Sequence, residues 1–169
     1  MKTIVVYRSS TGFTEKYARW IAEDLNCEAK EQKKIKADEL AGYDLVVYGA
    51  PIMAGMVSGY EKIRAMEPTE LIVFAVGMTV PGEAFEDLVC TQNKLEKEKF
   101  FYFEGGYAPE RLGFFQRLLM GMIRKSIEKK PEKTAEDLHM LESFKGSDRT
   151  DRGAIAPLVA LCREKDTAR

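Results

Sequence analysis

The stretch VVYRSSTGFTEKYARWIA, Val5 to Ala22, decides how the chain is read. A β-branched run ends in Tyr7, and apolar residues at helical spacing follow from Thr14. Between them lie Ser9, Ser10, Thr11, Gly12, Phe13 and Thr14, a turn with four hydroxyl side chains. Ser and Thr are favoured helix caps, but one cap suffices. In an open parallel sheet, ligands bind beyond the C-terminal strand ends, where helices begin. A helix start there offers unpaired N–H groups and a partial positive charge, Gly12 permits close backbone approach, and the hydroxyls add donors. The turn therefore suits a phosphate. It lacks the Gly-Lys-Ser/Thr ending of a nucleoside-triphosphatase loop and the three-glycine dinucleotide pattern, which argues against both.

Outward from this turn, "TIVVY" (Thr3 to Tyr7), "DLVVYGA" (Asp44 to Ala50), "LIVFAVG" (Leu71 to Gly77) and "KFFYFEGG" (Lys99 to Gly106) read as strands. Their continuous hydrophobicity predicts burial on both faces, as in a parallel sheet. Glu28 to Ile35 is a charged fifth candidate suited to an edge. Helical patterns cover Thr14 to Leu25, Ser58 to Met66 and Gly82 to Lys97, the last with Pro81 at an expected first-turn position. Alternation of strand and helix is the doubly wound α/β order. After Gly106 the rhythm changes: Glu110 to Lys130 carries a broad apolar face, a polar run reaches Asp151, and "DRGAIAPLVALCREK" predicts a closing helix that Pro157 would interrupt or force to begin late.

The chain has 169 residues, enough for one domain, and 26 basic against 27 acidic side chains, a formal net charge of −1. That balance gives no reason to expect a nucleic-acid partner. Cys27, Cys90 and Cys162 are widely spaced and odd in number, so neither a disulfide framework nor a zinc site is expected; they read as buried thiols of a reducing cytoplasm. His139, the single histidine, lies in a charged segment and reads as a surface or helix residue. The N-terminus runs straight into a strand pattern without a secretory signature, and no apolar run approaches the ~20 residues of a membrane span, so a cytoplasmic protein is expected.

The first loop resembles that of the flavodoxin family, Ser/Thr-x-Thr-Gly-x-Thr after an apolar strand with an alanine four residues later, here Ser9, Thr11, Gly12, Thr14 and Ala18. The resemblance implies a flavodoxin-like, doubly wound five-stranded parallel sheet with helices on both faces, and FMN as cofactor. It assigns the phosphate to Ser9 through Thr14. "GAPIMAGMVSG" and "GMTVPGE" fall where the family's flavin-flanking loops fall, so Pro51, Ile52, Met53, Ala54 and Gly55 would line one side of the ring and Gly77, Met78, Thr79 and Val80 the other. Gly55 would allow the backbone rearrangement near the flavin that many flavodoxins use. No metal is implied. A receiver-type signalling domain shares the strand order but needs clustered acids after the first strand, which "YRSSTG" lacks.

Within the family, "MKTIVVYRSSTGFTEKYA", "YDLVVYGAPI" and "FEGGYAPERLGFFQRLLMGMIRK" are most similar to the flavodoxin-like protoporphyrinogen dehydrogenases, which pass electrons from a porphyrin precursor to quinones. This implies one domain over 1–169 with a helical insertion around 107–150. "IMAGM" lacks the aromatic of those enzymes, and the third loop lacks the tyrosine of electron-carrying flavodoxins. A ring left open on one face favours an enzyme acting on a planar or quinone-like molecule. A carrier serving a redox partner protein, and a flavodoxin-fold binding module that has lost FMN, are the alternatives. Catalytic residues are not assigned; Tyr107 and Arg111 are candidates for substrate contact, with turn and helix-start packing as the plainer role. The helix through 111–130 admits two readings, peripheral contact with the inner face of a membrane or packing over a sheet face, and packing is favoured.

Overall fold

The computed structural model describes residues 1–168. β1 (Thr3–Tyr7) leads through the hydroxyl turn into α1 (Phe13–Leu25), β2 (Glu28–Glu31) and the one-turn helix α2 (Ala37–Leu40). β3 (Leu45–Met53) folds back into the two-residue β4 (Met56–Val57), followed by α3 (Tyr60–Arg64), β5 (Leu71–Gly77), α4 (Glu83–Asn93) and β6 (Phe100–Glu104). Then come β7 (Gly106–Tyr107), α5 (Phe114–Glu128), α6 (Ala135–Ser143), β8 (Ser147–Asp148) and α7 (Ala156–Thr167).

The main strands stand in the order β2-β1-β3-β5-β6, every neighbouring pair parallel. This is the doubly wound α/β sheet that the sequence predicts. The order reverses between β1 and β3, so a crevice opens past their C-terminal ends. Alternation splits each strand between two cores. Val5, Val47, Phe74 and Phe103 pack with Tyr17 and Ile21 of α1 and Leu158 and Val159 of α7. Ile4, Val6, Tyr48 and Val73 pack with Leu40, Ile63 and Val89.

Several predicted boundaries move. β2 stops at Glu31 because Gln32 turns inward, its amide donating to the Gly59 carbonyl at 2.8 Å. α4 ends at Asn93, where Lys94 takes a left-handed φ of 55°, and Pro81 precedes the Gly82 cap rather than entering the first turn. Pro157 does sit in the first turn of α7, where its missing N–H costs nothing. The polar run before Asp151 contains α6, opened by a reciprocal cap in which Thr134 Oγ1 accepts from the Asp137 amide at 3.1 Å.

α5 departs most from expectation. It does not lie over a sheet face: Phe114, Phe115, Leu118, Leu119, Met122 and Ile123 are all exposed, and Ile127 is its one buried residue. The reason is topological. α1 and α7 already cover one sheet face and α2, α3 and α4 pack on the other, so α5 meets the molecule along the crevice rim and against α6.

Candidate functional site

The site begins with the turn after β1. Ser9 Oγ accepts from the Gly12 amide at 3.1 Å, which folds the turn on itself. Gly12 caps α1 with a left-handed φ of 95°, and its side of the turn leaves the first-turn amides of Phe13, Thr14 and Glu15 without partners four residues back. Thr14 is 3% exposed. Yet among the described residues no hydrogen bond engages the hydroxyls of Ser10, Thr11 or Thr14. Arg111 leans over the same turn, its Nη1 donating to the Thr11 carbonyl at 3.0 Å. Amides, free hydroxyls and a guanidinium thus converge on one end of the crevice. These donors fit a phosphate, which needs several N–H and O–H partners at once.

β3 and β4 supply the next wall as a tight hairpin, with Ile52 opposite Val57 and Met53 opposite Met56. Its two corner residues, Ala54 and Gly55, both have positive φ, 50° and 79°, the geometry of a turn whose twist matches the strands. Asn93, 1% exposed at the end of α4, holds this hairpin. Its Oδ1 accepts from the Val57 amide at 2.9 Å, and its Nδ2 donates to the Gly55 carbonyl at 2.8 Å. The opposite wall follows β5. The buried Tyr102 hydroxyl donates to the Thr79 carbonyl at 2.8 Å, and burial raises the phenol's pKa above its ordinary value.

Together these walls enclose a cleft of about 400 Å³, within the range of small-molecule sites. Ser10, Thr11, Phe13, Thr14, the whole of Pro51 to Gly55, Gly77, Met78 and Thr79 line it. Ser9 and Gly12 shape the turn from behind, and Val80 stands outside the wall, 42% exposed. Tyr107 lines the cleft, whereas Arg111 lies on the hydroxyl turn. Sequence reasoning missed Phe85 of α4 and Tyr102 of β6, which bring aromatic rings to the cleft from outside the two flanking loops, in edge contact 4.9 Å apart. It also missed the rim formed by Leu112, Leu119, Met120, Ile123 and Met140. Among the described residues, none that lines the cleft is charged.

His139 lies on a helix, α6, as one of its expected roles had it, but it is not a plain surface residue. Its Nε2 lies 2.6 Å from Glu104 Oε1, and Arg149 reaches the same carboxylate oxygen at 3.6 Å. The pair is only 20% exposed at each side chain and ties α6 to the end of β6, setting the neighbouring Met140 at the rim.

A family model described as a flavodoxin domain matches residues 4–134. No curated protein matches the chain by sequence. Among solved structures, oxidised flavodoxin 2 from Bacillus cereus shares 20% identity over 65% of this chain and 87% of its own, with a TM-score of 0.46. A flavodoxin from the domain Archaea shares 18% identity over 74% and 98%, with a TM-score of 0.45. A flavoprotein in complex with FMN from Lactobacillus acidophilus shares 14% over 61% and 90%, with a TM-score of 0.40.

Proposed function

The chain belongs to the flavodoxin-domain family, and on that premise we propose that its cleft binds FMN and that the protein is an FMN-dependent oxidoreductase acting on a planar, apolar molecule. The observation that carries the reading is the set of unengaged hydroxyls at the start of α1, opening into an uncharged cleft of about 400 Å³. Ser10, Thr11, Thr14 and the first amides of α1 would hold the phosphate, with Arg111 adding a positive charge beside it. Pro51 to Gly55 and Gly77 to Thr79 would flank the ring, and the cofactor would supply hydride or electron transfer there.

What the chain itself does is bind, orient and keep water away. The Asn93 pin holds the hairpin wall at a fixed distance, and Tyr102 fixes the wall across from it. The rim of Leu112, Leu119, Met120 and Ile123 favours an inserted organic substrate over a pure electron carrier, because it covers apolar surface beside the ring site that a carrier would leave open to a protein partner. The resemblance to the protoporphyrinogen dehydrogenases supports a porphyrin precursor as donor and a quinone as acceptor.

The test is a titration of the purified protein with FMN followed by flavin fluorescence. Saturable one-to-one quenching is expected, and its absence removes the proposal. A charge-assisted hydrogen bond contributes ~1.5–3 kcal/mol. Thr14→Val is therefore expected to weaken FMN about tenfold to a hundredfold, at ~1.4 kcal/mol per decade. Steady-state reduction of a soluble quinone by the loaded protein, with a porphyrinogen supplied as the two-electron donor, distinguishes the enzyme from a carrier, which would pass electrons only to a protein partner.

A further inference from the structure

We infer that α5 is a docking surface for an anionic lipid membrane, with the protein lying on the bilayer and not crossing it. Phe114, Leu118 and Met122 form one exposed row along the helix, and Phe115, Leu119 and Ile123 form a second beside it. The two phenylalanines, 76% and 82% exposed, open the helix in edge-to-face contact 5.6 Å apart. Such a contiguous apolar face needs a cover. Within the protein none is left to give, since both sheet faces are already packed.

Charge selects the cover. Residues 111–133 hold seven bases and two acids, a net +5, in a chain whose total is −1, so the remainder carries −6. Three of these bases are in ion pairs, Arg111 with Glu110 at 3.6 Å, Arg124 with Glu128 at 2.8 Å and Lys130 with Asp137 at 2.7 Å, and Arg117 and Lys133 donate to backbone carbonyls. Lys125 and Lys129 make no ion pair among the described residues. Lys125, with Arg117, borders a shallow groove between Phe114, Leu118 and Met122, so cationic heads stand directly beside apolar rows. A second copy docking across a two-fold axis would bring this positive region against itself. An anionic headgroup layer instead attracts the bases, while the apolar rows enter the acyl boundary. No helix among the described residues is long and apolar enough to cross a membrane, so α5 would lie in the interface plane. Its inner edge, Leu119 and Ile123, also lines the cleft, so docking would place the cleft mouth at the lipid surface.

Flotation with vesicles tests this without reference to flavin. At roughly 50 mM salt the full chain is expected to float with phosphatidylcholine vesicles containing about 30 mol % phosphatidylglycerol, and not with phosphatidylcholine alone. Each base near such a surface contributes about fivefold to partitioning. Lys125→Gln with Lys129→Gln is therefore expected to bind about 25-fold more weakly, and Phe114→Ser with Phe115→Ser to lose binding. Circular dichroism and thermal melting of both variants are expected to be unchanged, because the altered side chains stand in water. Failure of the wild type to float with the anionic vesicles overturns the inference, as does equal floating with uncharged ones. A dimer in lipid-free buffer that the Phe114→Ser and Phe115→Ser pair turns into a monomer overturns it as well, assigning the face to a second copy.

Discussion

Ala54 holds a left-handed φ of 50° at the first corner of the β3–β4 hairpin, where a side chain costs about 1–2 kcal/mol. Asparagine tolerates that conformation, and Asn-Gly is the favoured pair for this turn. Ala54→Asn is expected to raise stability by about 0.5–1 kcal/mol, measured by urea unfolding. Cys90 and Cys162 are buried as expected, whereas Cys27 is only partly buried. Desolvation pushes the Cys27 thiol up to about 11 and Cys162 up to about 12, and raises Cys90 as well. With so little thiolate at pH 8, all three are expected to react slowly with a disulfide reagent in the folded protein and rapidly once unfolded; an absorbance time course measures this. At this scale the hydroxyl turn was legible, because four Ser or Thr residues exceed what capping requires. Arg111 on that turn was not, since a contact spanning one hundred residues of sequence leaves no local trace.

Strand and helix order could be read from alternating composition, and the edge position of β2 from its charge. The short α2, β4, β7 and β8 escaped, and so did α6 and the exposure of α5. α6 was hidden because a helix with charged and apolar residues mixed around it shows little periodicity. The exposure of α5 was hidden because an apolar face looks the same in sequence whether a sheet or a solvent boundary meets it. Asn93 marks how far an element can act beyond its own span: one amide at the end of α4 satisfies two backbone groups of the hairpin. Asn93→Ala leaves the Val57 amide and the Gly55 carbonyl without it, and an unmet buried group costs ~1–3 kcal/mol. A fall of several degrees in melting temperature is expected, together with weaker FMN binding as the ring wall loosens.

For the molecule as a whole, buried phenols set an alkaline limit. Burial raises the pKa of both Tyr48 and Tyr102, which stay protonated in the fold while unfolded tyrosines ionise near pH 10. The folded state then binds more protons, so stability is full below about pH 10 and declines as pH rises beyond it. Chemical unfolding at a series of pH values measures the decline, which is expected to be shallower in Tyr102→Phe. The doubly wound plan was legible because it follows from the order of buried strands. The outward placement of 106–148 was not, because it depends on which surfaces other helices had already occupied.

The Tyr17 hydroxyl donates to the Glu104 carbonyl at 2.7 Å and accepts from the Asp151 amide at 3.0 Å, and the Arg149 amide donates to the Gly105 carbonyl at 2.9 Å. Departure and return points of the long excursion are thereby stapled side by side on the scaffold. A segment whose two feet already touch behaves as an interchangeable attachment: evolution can lengthen, shorten or replace it at little entropic expense, leaving the underlying sheet to fold as before.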